Sequence, residues 1–299
     1  MTALDTGGPV ICAYEDKPIA RHALRAAAWL ANALDTQLMV AHAFDPMGIS
    51  VPPTREMVQR DVTTEELEAA GRQRARRQVE AAGDLVRGTN VQTELLEGSP
   101  APSLLQFAAG RGARLLVTGT AARVGLERIL IGSVTSELAA QSSCPVIAVP
   151  RAAALEEPGP VVAGYDGSEH GLRAARHAAA LAAQLGRDLV LVHVTKSGDE
   201  VVRPDRELAD ELYAAAKAAP RSGPGGPLDL SVNVVRESGD PADTLVRVAR
   251  ERAAALIFTG TRGRNALSSA LLGSVSAGVV GVTDRPVGLV APNVRDLPG

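Results

Sequence analysis

Short apolar runs recur along the chain, separated by longer segments whose apolar positions lie three and four apart, and this alternation predicts parallel strands joined by crossover helices. Strands are expected at 9–15, 37–43, 91–96, 114–119 and 145–149, and again at 160–166, 188–194, 230–236, 255–260 and 286–291. Gly167 and Ser168 read as the opening of a helix whose Leu172, Ala175, Ala179, Ala182 and Leu185 form one stripe, with Gly186 as its stop. An equivalent helix is expected over 18–34. Ser99-Pro100 and Asp240-Pro241 each place a capping side chain before a proline at the first helical position, where the missing N–H costs nothing. Thr63 with Glu66 predicts a capping box for an arginine-rich helix over 65–87. Its shorter counterpart, over 205–219, runs into a proline- and glycine-rich loop from Pro220 to Pro227.

The two series of elements are copies of one another. Val10–Glu15 matches Val161–Asp166, and Leu38–His42 matches Leu189–His193, both at an offset of 151 residues. From Gly98-Ser99-Pro100-Ala101 against Gly239-Asp240-Pro241-Ala242 onward the offset is 141, so the second copy is ten residues shorter between His193 and Gly239. The chain is therefore expected to hold two tandem domains, 1–152 and 158–299, with a short linker between Pro150 and Pro160.

One motif recurs with a difference. Gly260 and Gly263, nine further residues and Gly273-Ser274 are matched by Gly119, Ala122, nine residues and Gly132-Ser133. Glycines at this spacing suit a backbone that approaches a ligand closely, and Gly-Ser opening a helix presents free amides and the positive end of a dipole, the chemistry of a phosphate cradle. In open parallel sheets ligands bind at the carboxyl ends of strands, where the strand order reverses. Asp166, Val194 and Thr259-Gly260 fall at such ends. A carboxylate there can accept hydrogen bonds from a ribose hydroxyl or an adenine amine.

Asp166 after an apolar strand, Gly-Asp-Pro-Ala at 239–242 and the glycine motif at 260–274 together resemble the universal stress protein family, over nearly the whole chain and in the tandem-domain form found in actinobacteria. The resemblance implies two Rossmann-like α/β domains of the flavodoxin-like, adenine nucleotide alpha hydrolase-like kind, each with a five-stranded parallel sheet of order 3-2-1-4-5. It implies ATP as ligand, carried with Mg2+, with AMP, ADP and cyclic AMP left open. The contacts implied are Gly164, Asp166, Val194, Thr259, Gly260, Arg262, Gly263, Gly273, Ser274, Val275 and Ser276. Weaker counterparts are Glu15, Ala43, Gly119, Ala122, Gly132, Ser133, Val134 and Thr135. Glu15 reaches one methylene further than Asp166, and Ala122 adds a methyl that strains the loop if its backbone needs positive φ. The amino-terminal site is expected to be the weaker. Family members commonly dimerise through their last strands, so the two halves are expected to make that contact within one chain, with further pairing into a homodimer left open.

Composition narrows the function. The formal charge of −3 and the 2% aromatic content offer neither the electrostatic footprint nor the stacking surface for nucleic acid. No signal segment or membrane span is read, and Cys12 and Cys144 are too few for a disulfide framework or zinc site, so a reducing cytoplasm is expected. His42 and His193 are read as buried strand histidines, His22, His170 and His177 as helix-surface residues, and Arg72, Arg74, Arg76 and Arg77 as a solvated helix face. The chain lacks a P-loop lysine motif and a Gly-x-Ser-x-Gly elbow, and no base is identified, so binding is favoured over turnover. The leading reading is a nucleotide-dependent stress-response regulator with an unassigned downstream partner. A slow ATPase or phosphoryl-transfer enzyme, or a scaffold with vestigial sites, remain the alternatives.

Overall fold

A computed structural model of the chain describes residues 8–46, 63–86, 88–120, 131–151, 153, 158–195, 205–219, 229–262 and 272–297. The first half runs β1 (Val10–Ala13), α1 (Pro18–Ala33), β2 (Leu38–Phe44), α2 (Thr64–Asp84), β3 (Val91–Glu97), α3 (Pro100–Gly110), β4 (Leu115–Thr120), α4 (Ser133–Gln141) and β5 (Val146–Pro150). The second repeats it as β6 (Val161–Tyr165), α5 (Glu169–Gln184), β7 (Leu189–Thr195), α6 (Asp205–Ala218), β8 (Val232–Ser238), α7 (Pro241–Glu251), β9 (Leu256–Gly260), α8 (Ser274–Val282) and β10 (Val287–Val290). The expected strands all form, with ends shifted by at most two residues.

Local chemistry sets the helix ends. Ser168 caps α5 by accepting from Gly171 N at 3.0 Å, and Gly186, at φ +62°, closes it with the Arg187 N to Ala182 O bond of a Schellman turn. The same turn ends α1, but Asp35 occupies the left-handed position there, at φ 46°, where the second copy has glycine. The Thr63–Glu66 capping box forms as expected, and Asp240 caps α7 through the amides of Ala242 and Asp243. Ser99 corrects the expectation for α3: its hydroxyl makes no bond to the helix and turns instead to Asp45 Oδ2 at 3.4 Å.

Each half has the order 3-2-1-4-5, but the two sheets are one. The ten strands run β3-β2-β1-β4-β5-β10-β9-β6-β7-β8, with β5 and β10 antiparallel and Val287 opposite Ala148, Gly288 opposite Ile147 and Leu289 opposite Val146. Helices cover both faces: α1, α2, α5 and α6 pack into one core and α3, α4, α7 and α8 into the other, and both cores run through the two halves. Phe258, fully buried, lies beside Gly288, where a Cβ would come within 2.5 Å of its ring. Gly278, a poor helix former inside α8, lets that helix approach α7, since a Cβ would sit 2.8 Å from that of Ala242.

His177 departs from its expected place on a helix surface. It is partly buried against the segment after β10, its Nε2 3.1 Å from Arg295 O, and burial pushes its pKa down to about 4 from an ordinary 6.5. The unfolded chain therefore binds this proton more readily than the folded one. The stabilisation is complete above about pH 6.5 and is lost as pH falls toward 4. We expect acid destabilisation in this window to be about 1 kcal/mol smaller in His177→Gln, less than the full shift implies because the ring keeps some solvent exposure. Denaturant titrations at pH 7 and pH 4.5 measure it. Gly288→Val should overpack the junction against Phe258 and lower stability by about 1–3 kcal/mol, read as a reduced denaturant midpoint.

Candidate functional site

The parallel register brings together residues far apart in sequence. Tyr165 is paired with His193, which sets Asp166 level with Val194 at the ends of β6 and β7, and Ala163 is paired with Phe258, which sets the end of β9 beside them. Gly273 N donates to Thr261 O at 2.8 Å, tying the start of α8 to the same rim. Asp166, Val194, Thr259, Gly260, Arg262, Gly273, Ser274 and Val275 are thus gathered at one end of the sheet. Ser274 is exposed at the helix start, where first-turn amides have no acceptor within the helix and the dipole favours an anion. Gly263 lies outside the described residues, as does Ala122 in the first half, so the question of positive φ at that position falls outside them too.

Several glycines prove to answer to packing. A Cβ on Gly260 would come within 3.0 Å of His170 O and one on Gly119 within 3.0 Å of Ile19 O, so these positions are small because the first turn of α5 or α1 rests on them. Gly164 makes room for Leu245, whose Cδ1 would lie 2.8 Å from an added Cβ. Gly273 and Gly132 have φ of −59° and −55°, ordinary values for any residue, although a Cβ on Gly273 would come within 3.0 Å of Thr261 O. Ser276 also departs from the contact the resemblance implies. It is 1% exposed and its hydroxyl donates to Gly260 O at 2.7 Å, bracing α8 against β9 from within. Thr135 makes the equivalent bond to Gly119 O at 3.2 Å.

Two polar groups at the second rim are unusual. Among the described residues, the Oγ1 atoms of Thr259 and Thr261 are buried without a hydrogen-bond partner, whereas Thr118, the counterpart of Thr259, reaches Gly119 O at 3.5 Å. Thr120 Oγ1 in the first half is likewise buried and unpartnered among these residues. Unpartnered buried hydroxyls cost roughly 1–3 kcal/mol each, a cost that a polar ligand or water relieves.

The halves differ most at their first strand ends. Asp166 Oδ1 accepts from Ser168 N at 3.0 Å and Ser168 Oγ at 2.5 Å, with Gly167 between them at φ +80°. Gly171 is required here, because a Cβ would stand 2.6 Å from Asp166 Oδ1. In the first half Asp16 replaces Gly167 and Lys17 replaces Ser168, so α1 has no side-chain cap. Glu15 pairs instead with Lys17 at 2.7 Å, both side chains about 60% exposed, at 62% and 60%. An exposed pair of this kind is worth at most about 1 kcal/mol, so it competes with a ligand without barring it. Sequence reasoning passed over this exchange, although the 151-residue offset sets Lys17 against Ser168 directly. Ala43, Gly132, Ser133 and Val134 hold the positions equivalent to Val194, Gly273, Ser274 and Val275, with Gly132 and Ser133 exposed.

The strand histidines are structural in both halves, by different bonds. His42 Nδ1 donates to Tyr14 O at 2.8 Å. His193 is buried, stacks at a tilt on Tyr165 with ring centroids 5.4 Å apart, and accepts at Nδ1 from Arg236 Nη1 at 3.0 Å; Arg236 also pairs with Asp205 at the start of α6. Because a guanidinium only donates, the proton of a neutral His193 belongs on Nε2. We expect Ser276→Ala to lower unfolding stability by about 1–3 kcal/mol, whereas Ser274→Ala stays within about 0.5 kcal/mol. Urea denaturation of the two variants separates the internal brace from the exposed helix start.

Comparison with known proteins agrees with this arrangement. The model of the universal stress protein family matches residues 8–150 and 159–291. A universal stress protein of Mycolicibacterium smegmatis is 30% identical over 279 residues, covering 90% of this chain and 92% of the relative. One from Mycobacterium tuberculosis strain H37Rv is 30% identical over 237 residues, covering 74% and 76%. Among solved structures, a universal stress protein from Archaeoglobus fulgidus shares the fold at a TM-score of 0.64 and 16% identity, covering 96% of this chain and 98% of that one. The doubled sheet, the repeated glycine rim and these matches place the chain in the universal stress protein family.

Proposed function

We propose that this chain is an ATP-binding regulatory protein, whose carboxyl-terminal half is the principal nucleotide site and whose occupancy shifts a conformational balance read by another protein. The observation that carries this reading is the convergence of Asp166, Val194 and the amide-rich start of α8 on one rim, where the hydroxyls of Thr259 and Thr261 are buried without a partner among the described residues. Such a rim fits a ligand with a hydrogen-bonding ribose and base at one end and phosphates at the other. Asp166 and Val194 would hold the nucleoside, and Ser274 with the first-turn amides of α8 the phosphates, whose negative charge a bound Mg2+ would share. Neither His193, whose Nδ1 accepts from Arg236 and whose Nε2 then carries the proton, nor Ser276, engaged by Gly260, is placed to activate water, which supports binding over turnover. The free, buried thiols of Cys12 and Cys144 suit a reducing cytoplasm.

The amino-terminal half would bind the same ligand more weakly. Its carboxylate reaches further, faces Lys17 and lacks the turn that holds Asp166. A regulator needs a ligand that prefers one state, and two unequal sites would let one fill before the other as nucleotide rises.

Purified protein, mildly denatured and examined by mass spectrometry, should release adenine nucleotide, and calorimetry with Mg-ATP should find one tight site per chain. Asp166→Ala should weaken that site at least tenfold, about 1.4 kcal/mol, while Glu15→Ala changes it less than twofold. The triple exchange Glu15→Asp, Asp16→Gly and Lys17→Ser should bring the second site into the measurable range. Absence of both released nucleotide and binding heat at several temperatures would overturn the reading. Competition by AMP, ADP and cyclic AMP ranks the ligands.

A further inference from the structure

The segment after β10 does not simply leave the domain. Val290 is paired with Gly260, and its carbonyl accepts from Thr261 N at 3.0 Å, so the segment starts at the glycine rim. Ala291 and Val294, 1% and 3% exposed, then sink into the core shared by α1 and α5. Between and beyond them, polar bonds run to both halves of the molecule. Asn293 Nδ2 donates to Gln141 O at 2.6 Å, satisfying a carbonyl at the end of α4, and Arg295 N donates to Ser143 O at 3.3 Å. On the other side Arg173 of α5 grips the segment twice, donating to Pro292 O and, through Nε at 2.7 Å, to Asp296 Oδ1. His177, one turn further along α5, adds the bond to Arg295 O.

Helix α5 links this grip to the site. It starts at the Asp166–Ser168 turn, and the carbonyl of His170 in its first turn rests against Gly260. The glycine rim is therefore held from two directions by the same unit, from below by α5 and from the side by the Val290 carbonyl. Neither side chain recurs at the equivalent positions of the first half, where His22 stands in place of Arg173 and Ala26 in place of His177.

We infer that residues 291–296 form a strap that positions the Thr261 end of the glycine rim for the phosphates of the nucleotide, with Arg173 as its positioning residue. The inference rests on the nucleotide-binding reading for its ligand and on the bonds of the segment for its mechanics. Arg173 touches no ligand; it acts through Pro292 and Asp296 on Val290, and through Val290 on Thr261. Its loss should therefore be felt at the phosphate end and spared at the nucleoside end, which Asp166 and Val194 hold independently. The strap also bonds to Gln141 and Ser143, so a change at the rim has a path to the first half.

Arg173→Ala and Asn293→Ala in the full chain test the inference, with Asp296→Ala, whose side chain is 62% exposed, as the variant least able to disturb folding. In each, hydrogen exchange at the Thr261 amide should speed up at least threefold without nucleotide. ATP affinity should fall three- to tenfold in Arg173→Ala while adenosine affinity stays within twofold, and Arg173→Lys should recover part of the loss by keeping one of the two grips. Unchanged Thr261 exchange in all three alanine variants overturns the strap. Equal weakening of ATP and adenosine overturns its positioning role, since a general loosening would move both. If the unaltered protein binds neither ligand, the nucleotide reading fails, and the exchange measurement alone decides the strap.

Discussion

The antiparallel contact between β5 and β10 is the constraint on which the molecule depends. Each half ends in a strand that, alone, would expose a row of unpaired backbone groups beside its core. Pairing the two closes both edges, makes one ten-stranded sheet and lets both helical layers pack continuously across the join. The geometry is demanding at its centre, where Gly288 must stay small for Phe258 while Ile147 opposite supplies bulk. Unlike residues, Gly288 and Ile147, thus meet at equivalent positions of the two last strands, and the halves are copies in topology but not in detail.

The same contact fixes where the two glycine rims face. Parallel strands put a ligand rim at their carboxyl ends, and an antiparallel join turns the two sets of carboxyl ends in opposite directions. The two glycine rims therefore open at opposite ends of one sheet. Each rim also lies close to the turn that enters the other half's last strand: Ser143 receives Arg295 N from the segment that leaves the second rim. Communication between the sites would run through the junction, not across open solvent, and the strap after β10 provides bonded contact along that route.

The unequal halves give this arrangement a direction. The second half keeps Asp166 in a tight turn with Gly167 and Ser168, while the first half has an exposed Glu15–Lys17 pair and an uncapped α1. Under the proposed reading, such a difference would suit a regulator with a single sensing site, the altered half then serving as the surface that completes the sheet. Among the described residues the first half buries an apolar core on both faces of its sheet, as the second does, so its altered rim is a local change and does not mark a failing domain.

By itself the sequence determined the strands, most helix ends and the repeat, because these follow from hydrophobic period, turn residues, caps and self-similarity along the chain; the strand order was implied only by the family resemblance. The sequence also directed attention to one rim in each half, since glycines and a carboxylate at strand ends are local signals. What it misjudged needed neighbours distant in the chain. Ser276 reads as a phosphate contact until Gly260 O is placed 2.7 Å away, and Gly260 reads as a ligand approach until His170 O is found beneath it. Ser99 reads as a cap until Asp45 draws its hydroxyl away, and His177 reads as a surface residue until Arg295 covers it. A residue type limits which bonds it can make; which of them it makes depends on what the tertiary fold brings within about 3 Å, and only the packed chain decides that.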